Sequence, residues 1–143
     1  GNTFENDLLQ LIFNNVDIAD IGDASGLQNS ATAGSLYIAL HTADPGEAGT
    51  AATSESAYGS YARQAVARSG AGWTVSTNTA TNAALIQFPE CTSGSETITH
   101  VSITTAVSGA SKILYSGALT ASRSVSSGIQ PQFAATALTV TED

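Results

Sequence analysis

The sequence predicts a mainly β protein, an antiparallel β-sandwich or jelly roll with a short N-terminal α-helix. Three observations support this prediction. Short segments that alternate apolar and polar residues recur at a spacing of roughly 8–12 residues, and clusters of Gly, Ser and Pro separate them. The first residues carry an apolar stripe at helical spacing instead. We therefore predict two parts, an N-terminal helical arm over residues 1–34 and a β-sandwich domain over residues 35–143.

The N-terminal helix is predicted from its cap and its apolar stripe. Asn2 or Thr3 can cap the first turn, and Glu5 stands three residues after Asn2, which is the spacing of a capping box. Apolar residues fall on one stripe, Phe4, Leu8, Leu11 and Ile12, and others widen it, Leu9, Phe13 and Val16. We expect the helix to end near Val16. A helix this short is stabilised mainly by packing, so its apolar face must lie on this domain or on another subunit.

The strands are predicted from alternation and from the turns between them. The first is the clearest, because residues alternate over Leu36–His41 and Asp44-Pro45-Gly46 then stops the strand. Val107–Lys112 is predicted as a hairpin loop. The long loop Pro45–Tyr58 is expected either to reach a neighbouring subunit or to be a mobile surface loop. The further predicted strands are Tyr61–Arg68, Trp73–Thr77, Ala83–Phe88, Thr97–Thr104, Lys112–Thr120 and Phe133–Thr141.

Composition argues against several classes of function. The formal net charge is −8, and residues 1–62 hold eight acids and no Lys or Arg, so a basic footprint for nucleic acid is missing. Cys91 is the only cysteine, which excludes an intrachain disulfide and is consistent with folding in a reducing cytoplasm. No signal peptide opens the sequence, and its apolar runs are far shorter than the roughly 20 residues that span a bilayer. We therefore predict neither a nucleic-acid partner nor a membrane partner.

The residues that could carry chemistry form no recognisable catalytic or metal-binding pattern. Cys91 and His100 are an available nucleophile and base, but no cysteine-hydrolase motif surrounds Cys91. His41 and His100 could ligate zinc, yet a structural zinc site needs four ligands, so a satisfied or exposed strand histidine is the preferred interpretation. The D-x-x-D-x-x-D run over Asp17–Asp23 lacks the alternate spacing of an EF-hand loop. We therefore predict no enzyme activity, no cofactor and no metal site.

Five segments of strand and turn, taken in order, carry a family resemblance. They are Leu36–Gly46, Gly59–Arg63, Ile98–Ile103, Leu114–Thr120 and Phe133–Thr141. In this order they resemble a family of small virion proteins of tailed bacteriophages. Members of that family are commonly labelled tail-fibre proteins, and several look like capsid decoration or cement proteins. The resemblance extends from about Ser35 to Asp143 and concerns strands and turns, not a catalytic signature.

The resemblance implies a structural role in a virion. It points first to a decoration protein on the capsid exterior, made in the host cytoplasm, which bridges subunits of the major capsid protein and forms a homo-oligomer, most simply a trimer. On this hypothesis the candidate contacts to a neighbouring subunit or to the shell are Phe4, Leu8, Leu11, Ile12, Arg63 and Arg68, the arginines through ion pairs. The alternative is a tail or fibre component, either an adaptor or a receptor-binding head that would display Tyr58, Tyr61 or Trp73 on its loops. A cell-wall hydrolase would need paired carboxylates, and no such pair is recognisable.

Overall fold

The computed structural model describes all residues, 1–143, and contains one helix and nine strands. The elements are α1 Asn2–Asn14, β1 Ser35–His41, β2 Gln64–Ala67, β3 Trp73–Ser76, β4 Thr79–Asn82, β5 Ile86–Gln87, β6 Ser95–Thr104, β7 Ile113–Ser126, β8 Gln132–Phe133 and β9 Thr139–Thr141. The predicted fold class is confirmed, because the chain is mainly β with a short N-terminal helix and antiparallel sheets, as in a β-sandwich. The one helix lacks the length and apolar content that crossing a bilayer would require.

The strands form three sheets. The largest has the order β2-β1-β6-β7, a second has the order β3-β4-β9, and β5 pairs with β8. In the largest sheet β1 and β6 are antiparallel, with Ile38 opposite Ile103 and Leu40 opposite Val101, and all four side chains are buried. The central strands of this sheet therefore contribute the apolar core that the alternation of β1 predicts.

The chain divides into two compact units. The first unit contains Gly1–Ser35, Val66–Ile86 and Phe133–Asp143, and the second contains Leu36–Ala65 and Gln87–Gln132. This division differs from the predicted boundary after residue 34, because α1 packs on β3 and β4 rather than forming an arm of its own.

In the first unit, α1 packs against β3 and β4 through one side of its apolar surface. Leu9 and Phe13 are fully buried, and the ring centroids of Phe13 and Trp73 lie 4.6 Å apart. The helix begins at Asn2 and its N-cap is Gly1. The capping box predicted from Asn2 and Glu5 is therefore not formed. It ends at Asn14, and its C-cap Asn15 adopts the left-handed conformation at φ 57°.

A single buried amide breaks the predicted strand Phe133–Thr141 into two. The Asn82 side chain donates to the carbonyls of Ala84 and Ala134, at 2.8 and 2.9 Å, and accepts the Leu138 N–H at 2.9 Å. These bonds hold residues 134–138 in a turn, where Thr136 has a positive φ of 68°. The first part of the predicted strand thus lies in β8 and the last part in β9.

Other strand boundaries also differ from the sequence prediction. The sequence does not predict strand β4, because its Thr- and Asn-rich residues show no apolar alternation. Strand β2 is shorter than Tyr61–Arg68, and β7 extends beyond Thr120 to Ser126. Along β7 the register jumps from Ala118 opposite His100 to Arg123 opposite Ile98, so residues 119–122 leave the regular ladder.

The packing of α1 leads to a stability prediction. Phe13→Ala should lower the free energy of unfolding by about 3–5 kcal/mol, because it leaves a cavity beside Trp73. Phe4→Ala is the matched control on the same helix, and since Phe4 is 49 % exposed it should change stability by less than about 1 kcal/mol. Chemical denaturation of the two variants measures both effects, and equal losses would contradict this account of the helix.

Candidate interaction surfaces

The helix α1 carries a second apolar surface that this chain covers only in part. Successive residues of an α-helix are rotated by about 100°, which places Phe4, Leu8 and Leu11 on the side away from Leu9 and Phe13. Phe4 is 49 % exposed, and its companions on that side are only half-buried. We call Phe4, Leu8, Leu11 and Ile12 the outer helix face. Phe4, Leu8 and Leu11 therefore share one side of the helix, and Ile12 lies at its edge towards Leu9.

Arg68 lies at the C-terminal end of the same helix. Its Nε donates to the Ile12 carbonyl at 2.7 Å and one terminal nitrogen donates to the Leu11 carbonyl at 2.6 Å. The other terminal nitrogen donates to the Ala33 carbonyl at 3.1 Å. A cation at this position stabilises the negative end of the helix dipole and satisfies carbonyls that lack helical partners. Arg68 therefore anchors the helix end and has no carboxylate partner within the chain.

Arg63 is placed differently, because the protein buries it. Its side chain is 2 % exposed, and Nε and one terminal nitrogen bind the two Glu55 oxygens at 2.7 and 2.8 Å. The hydrogen bonds to this carboxylate raise the pKa of Arg63 above its ordinary value. The remaining donors bind the carbonyls of Ala106 and Gly109 and the hydroxyl of Ser111. All five donors of the guanidinium are thus used inside the chain, which leaves none for an ion pair with a neighbouring subunit.

The loop Pro45–Tyr58 is attached to the sheet of its own unit. Thr42 and Ser56 donate backbone N–H bonds of 2.8 Å to the carbonyls of Ser54 and Leu40, and His41 forms a β-bridge with Glu55. Further along, the Glu96 carboxylate accepts the hydroxyl of Ser56 and the N–H groups of Ala57 and Tyr58. The second half of the loop is therefore held by this chain instead of extending towards a neighbour.

His41 and Ser102 form a buried pair in the second unit. His41 Nδ1 lies 2.9 Å from the Thr53 carbonyl, and Nε2 lies 2.7 Å from the Ser102 hydroxyl. Because a carbonyl only accepts hydrogen bonds, Nδ1 carries the proton and Nε2 accepts the Ser102 O–H. This is the arrangement of a nucleophile and a base, but the two residues are only 0 and 1 % exposed. Here the pair links β1 to β6 and to the loop Pro45–Tyr58.

The other residues considered for chemistry also have structural partners. The Cys91 thiol is 1 % exposed and donates to the Ser93 carbonyl at 3.2 Å. Asp17 accepts the Asn29 N–H at 2.7 Å, and Asp23 accepts the N–H groups of two residues in a tight turn. These carboxylates are used to shape the connection between α1 and β1.

Of the aromatic residues that a receptor-binding head would display, Tyr58 and Trp73 are buried and Tyr61 is half-buried. Tyr58 is 4 % exposed and donates its hydroxyl to the Pro89 carbonyl at 2.8 Å, and Trp73 is 1 % exposed. Tyr61 donates to Glu55 and accepts the Leu40 N–H, both at 3.0 Å. Burial raises the pKa of Tyr58 to about 12 and also raises the pKa of Tyr61. Trp73 packs on Phe13 of α1, and the hydroxyls of Tyr58 and Tyr61 are bonded within the chain, so all three rings are committed to internal contacts.

The comparison with known families adds one finding. A family model described as Podophage GP4 fiber I protein gp80 matches residues 1–141. No curated protein matches the chain.

The buried pair of Glu55 and Arg63 leads to a prediction about stability. Glu55→Gln should destabilise the protein by about 3 kcal/mol, because it leaves a buried guanidinium without a counter-charge. The value lies at the low end for buried pairs since the Glu55 side chain keeps 18 % exposure. Glu47→Gln removes the same charge from an exposed loop position and serves as the control. Urea denaturation compares the two, and an equal effect of both variants would contradict a buried pair.

The environment of His41 leads to a prediction about pH. Burial lowers the pKa of His41 below its ordinary value of 6.5, against the smaller raising effect of the Thr53 hydrogen bond. As the pH falls through the ordinary value, the unfolded chain binds a proton that the folded protein does not. The contribution of His41 to the free energy of unfolding should therefore be fully present above that value. It should decrease as the pH falls from about 7 to about 5.

Thermal unfolding across this pH range tests the prediction. His41→Gln should flatten the pH dependence whatever its effect on absolute stability. The same slope in wild type and in His41→Gln would show that His41 is not its source.

Proposed function

Because the chain belongs to the podophage GP4 fiber I protein gp80 family, we propose that it is a structural subunit of the tail fibre of a podophage particle. The observation that carries this proposal is the match of that family over residues 1–141. As a member of a phage virion family the protein is structural, and the finer assignment to the tail fibre is supported by the description of the family.

The outer helix face is the surface that we propose for docking. Full burial of a Leu or Phe side chain is worth about 1.5–3 kcal/mol, so covering Phe4 and its half-buried neighbours supplies a modest attraction per copy. Association also costs translational and rotational freedom, which a few side chains offset only in part. Several copies held on one particle would add their contributions by multivalency. Arg68 supports this face by fixing the end of the helix, and Arg63 is not part of it.

Capsid cementing is the alternative location for the same kind of contact. The sequence resemblance to decoration proteins supports it, with the major capsid protein as the partner. A receptor-binding head receives less support, because Tyr58 and Trp73 are buried. We also propose that the protein is not an enzyme, since the His41–Ser102 pair lies out of reach of a substrate.

The test is binding of the purified protein to particles that lack it, imaged at subunit resolution. We expect density at the tail. The double variant Phe4→Asp/Leu8→Gln should bind at least about 10-fold more weakly, because it places polar groups in the apolar contact. Asp in the first turn remains favourable for the helix, and Leu9 and Phe13 are unchanged, so the variant should fold.

Val107→Asp is the matched control, because Val107 is 62 % exposed and lies in the hairpin loop of the second unit. Regular density over the capsid shell would overturn the fibre assignment in favour of cementing. Undiminished binding by the double variant would overturn the docking role of the outer helix face. Point variants are preferable to deletion of the helix, which would also remove Leu9 and Phe13 from the core.

A further inference from the structure

Two carboxylates flank the outer helix face, one on each side. Asp7 stands three residues after Phe4 and four before Leu11, so it borders both on the helix surface. Glu5 stands three residues before Leu8, and at about 100° per residue it lies on the other side of the face. Both carboxylates are half-buried, so this chain shields them only in part. The apolar surface of α1 is thus bordered by negative charge on both flanks.

These two charges are only weakly neutralised within the first compact unit. The side chains of this unit include seven carboxylates and a single cation, Arg68. Arg68 is committed to the carbonyls at the end of α1. Glu5 forms one long ion pair, 3.6 Å from the amino group of Gly1, and Asp7 has no cationic partner. The second unit holds five carboxylates and three cations, so the negative charge is concentrated on the unit that carries the helix.

A second copy of the helix is a poor partner for the outer helix face because of the same charges. An antiparallel pair that sets Phe4 over the second copy's Leu11 brings the two Asp7 side chains together on one flank. A parallel pair, or a ring of parallel helices, brings Asp7 beside the second copy's Glu5. Like charges that meet across a helix interface repel each other and disfavour that pairing.

The second compact unit of another copy does not match the helix either. Its exposed cations are Lys112 and Arg123. Arg123 lies opposite Ile98 of β6, and Lys112 is next to the residue opposite Thr104. These positions are about 20 Å apart along the strand. A helix with its side chains is only about 10–12 Å across. The two cations thus lie farther apart than the two flanks of one helix.

We infer that the outer helix face docks in an apolar groove whose rim carries Lys or Arg side chains, on a virion protein other than this chain. The groove accommodates Phe4, Leu8 and Leu11. Cations on its two sides meet Asp7 and Glu5. An amphipathic helix that binds a groove through anchors at i, i+4 and i+7 is a common mode of recognition. This inference rests on the proposed docking role of the outer helix face.

The two kinds of contact have different effects on binding. The apolar contact supplies most of the affinity. The charges at the rim fix the orientation of the helix and discriminate against a second copy of it, which has carboxylates where the partner has cations. Screening by salt weakens the contacts between charges and leaves the apolar contact in place.

Binding to particles that lack the protein, measured by co-sedimentation at 0.1 M and 1 M NaCl, tests the inference. The higher salt shortens the Debye length from about 10 Å to about 3 Å, so the wild type should bind at least about 3-fold more weakly. Glu5→Gln/Asp7→Asn should bind about 3- to 10-fold more weakly at 0.1 M NaCl and should lose most of the salt dependence. Asp44→Asn/Glu47→Gln is the matched control. It removes the same two charges from exposed positions of the second unit and should behave as the wild type.

A variant without charge changes separates the apolar contact from the rim. Phe4→Ala/Leu8→Ala removes apolar surface only. It should bind more weakly at both salt concentrations and keep the salt dependence of the wild type. Ala has the highest helix propensity, and Leu9 and Phe13 are unchanged, so this variant should fold.

The outcomes distinguish this inference from the proposed function. Equal binding by Glu5→Gln/Asp7→Asn and its control, or undiminished binding at 1 M NaCl, would overturn the basic rim, while density at the tail would still support the fibre assignment. Density over the capsid shell with the expected charge dependence would overturn the fibre assignment and support the rim. Self-association of the purified protein in sedimentation velocity, abolished by Phe4→Ala/Leu8→Ala, would identify a second copy as the occupant and overturn the inference. A wild type that binds no part of the particle would overturn both.

Discussion

The buried guanidinium of Arg63 is the constraint on which the second compact unit depends. A charge removed from water is tolerated only with a counter-charge and with a partner for every remaining donor. Glu55 supplies the counter-charge, and the hairpin loop between β6 and β7 supplies the other acceptors. These requirements fix two irregular segments to each other, since moving either one would leave the cation unsatisfied. Tyr61, which bonds the same carboxylate, extends this constraint to the backbone of β1.

Polar networks replace bulky core residues in much of this protein. Nine aromatic residues and no methionine limit the apolar material, while small residues are abundant. Buried hydrogen-bonding groups then specify positions that side-chain volume alone would not. Asn82 determines where the C-terminal segment turns, and the His41–Ser102 pair joins two strands to a loop. Each such group is costly when unpaired, so the networks restrain the loops as well as the strands.

The partly uncovered surface of α1 combines two kinds of chemistry, which suits a component of a large assembly. The outer helix face is apolar and suits a partner with a complementary apolar groove. The carboxylates on its flanks suit cations at the rim of that groove. Membership of a phage fibre family gives this surface a context in which repeated contacts are expected. Tyr58 and Trp73, which a ligand-binding site would use, are instead committed to the interior.

By itself, the sequence determined the local features of this protein. Strong alternation located β1, β3 and β6, the apolar N-terminus located the helix, and the turn residues located the hairpin before β7. The order of these segments also indicated a tailed-phage virion family. Local patterns suffice for these features because they repeat within a few residues, and the backbone period that they match is itself local.

The tertiary structure alone decided which groups are used inside the chain and which remain available. Helical periodicity showed apolar residues around much of α1, but only the position of Trp73 selects Leu9 and Phe13 as the inner side. In the same way Arg63 and Arg68 look alike in the sequence, yet one is buried against Glu55 and the other caps a helix. Burial and pairing depend on residues that are distant in the chain. A single sequence has no local pattern from which such distant contacts can be recognised.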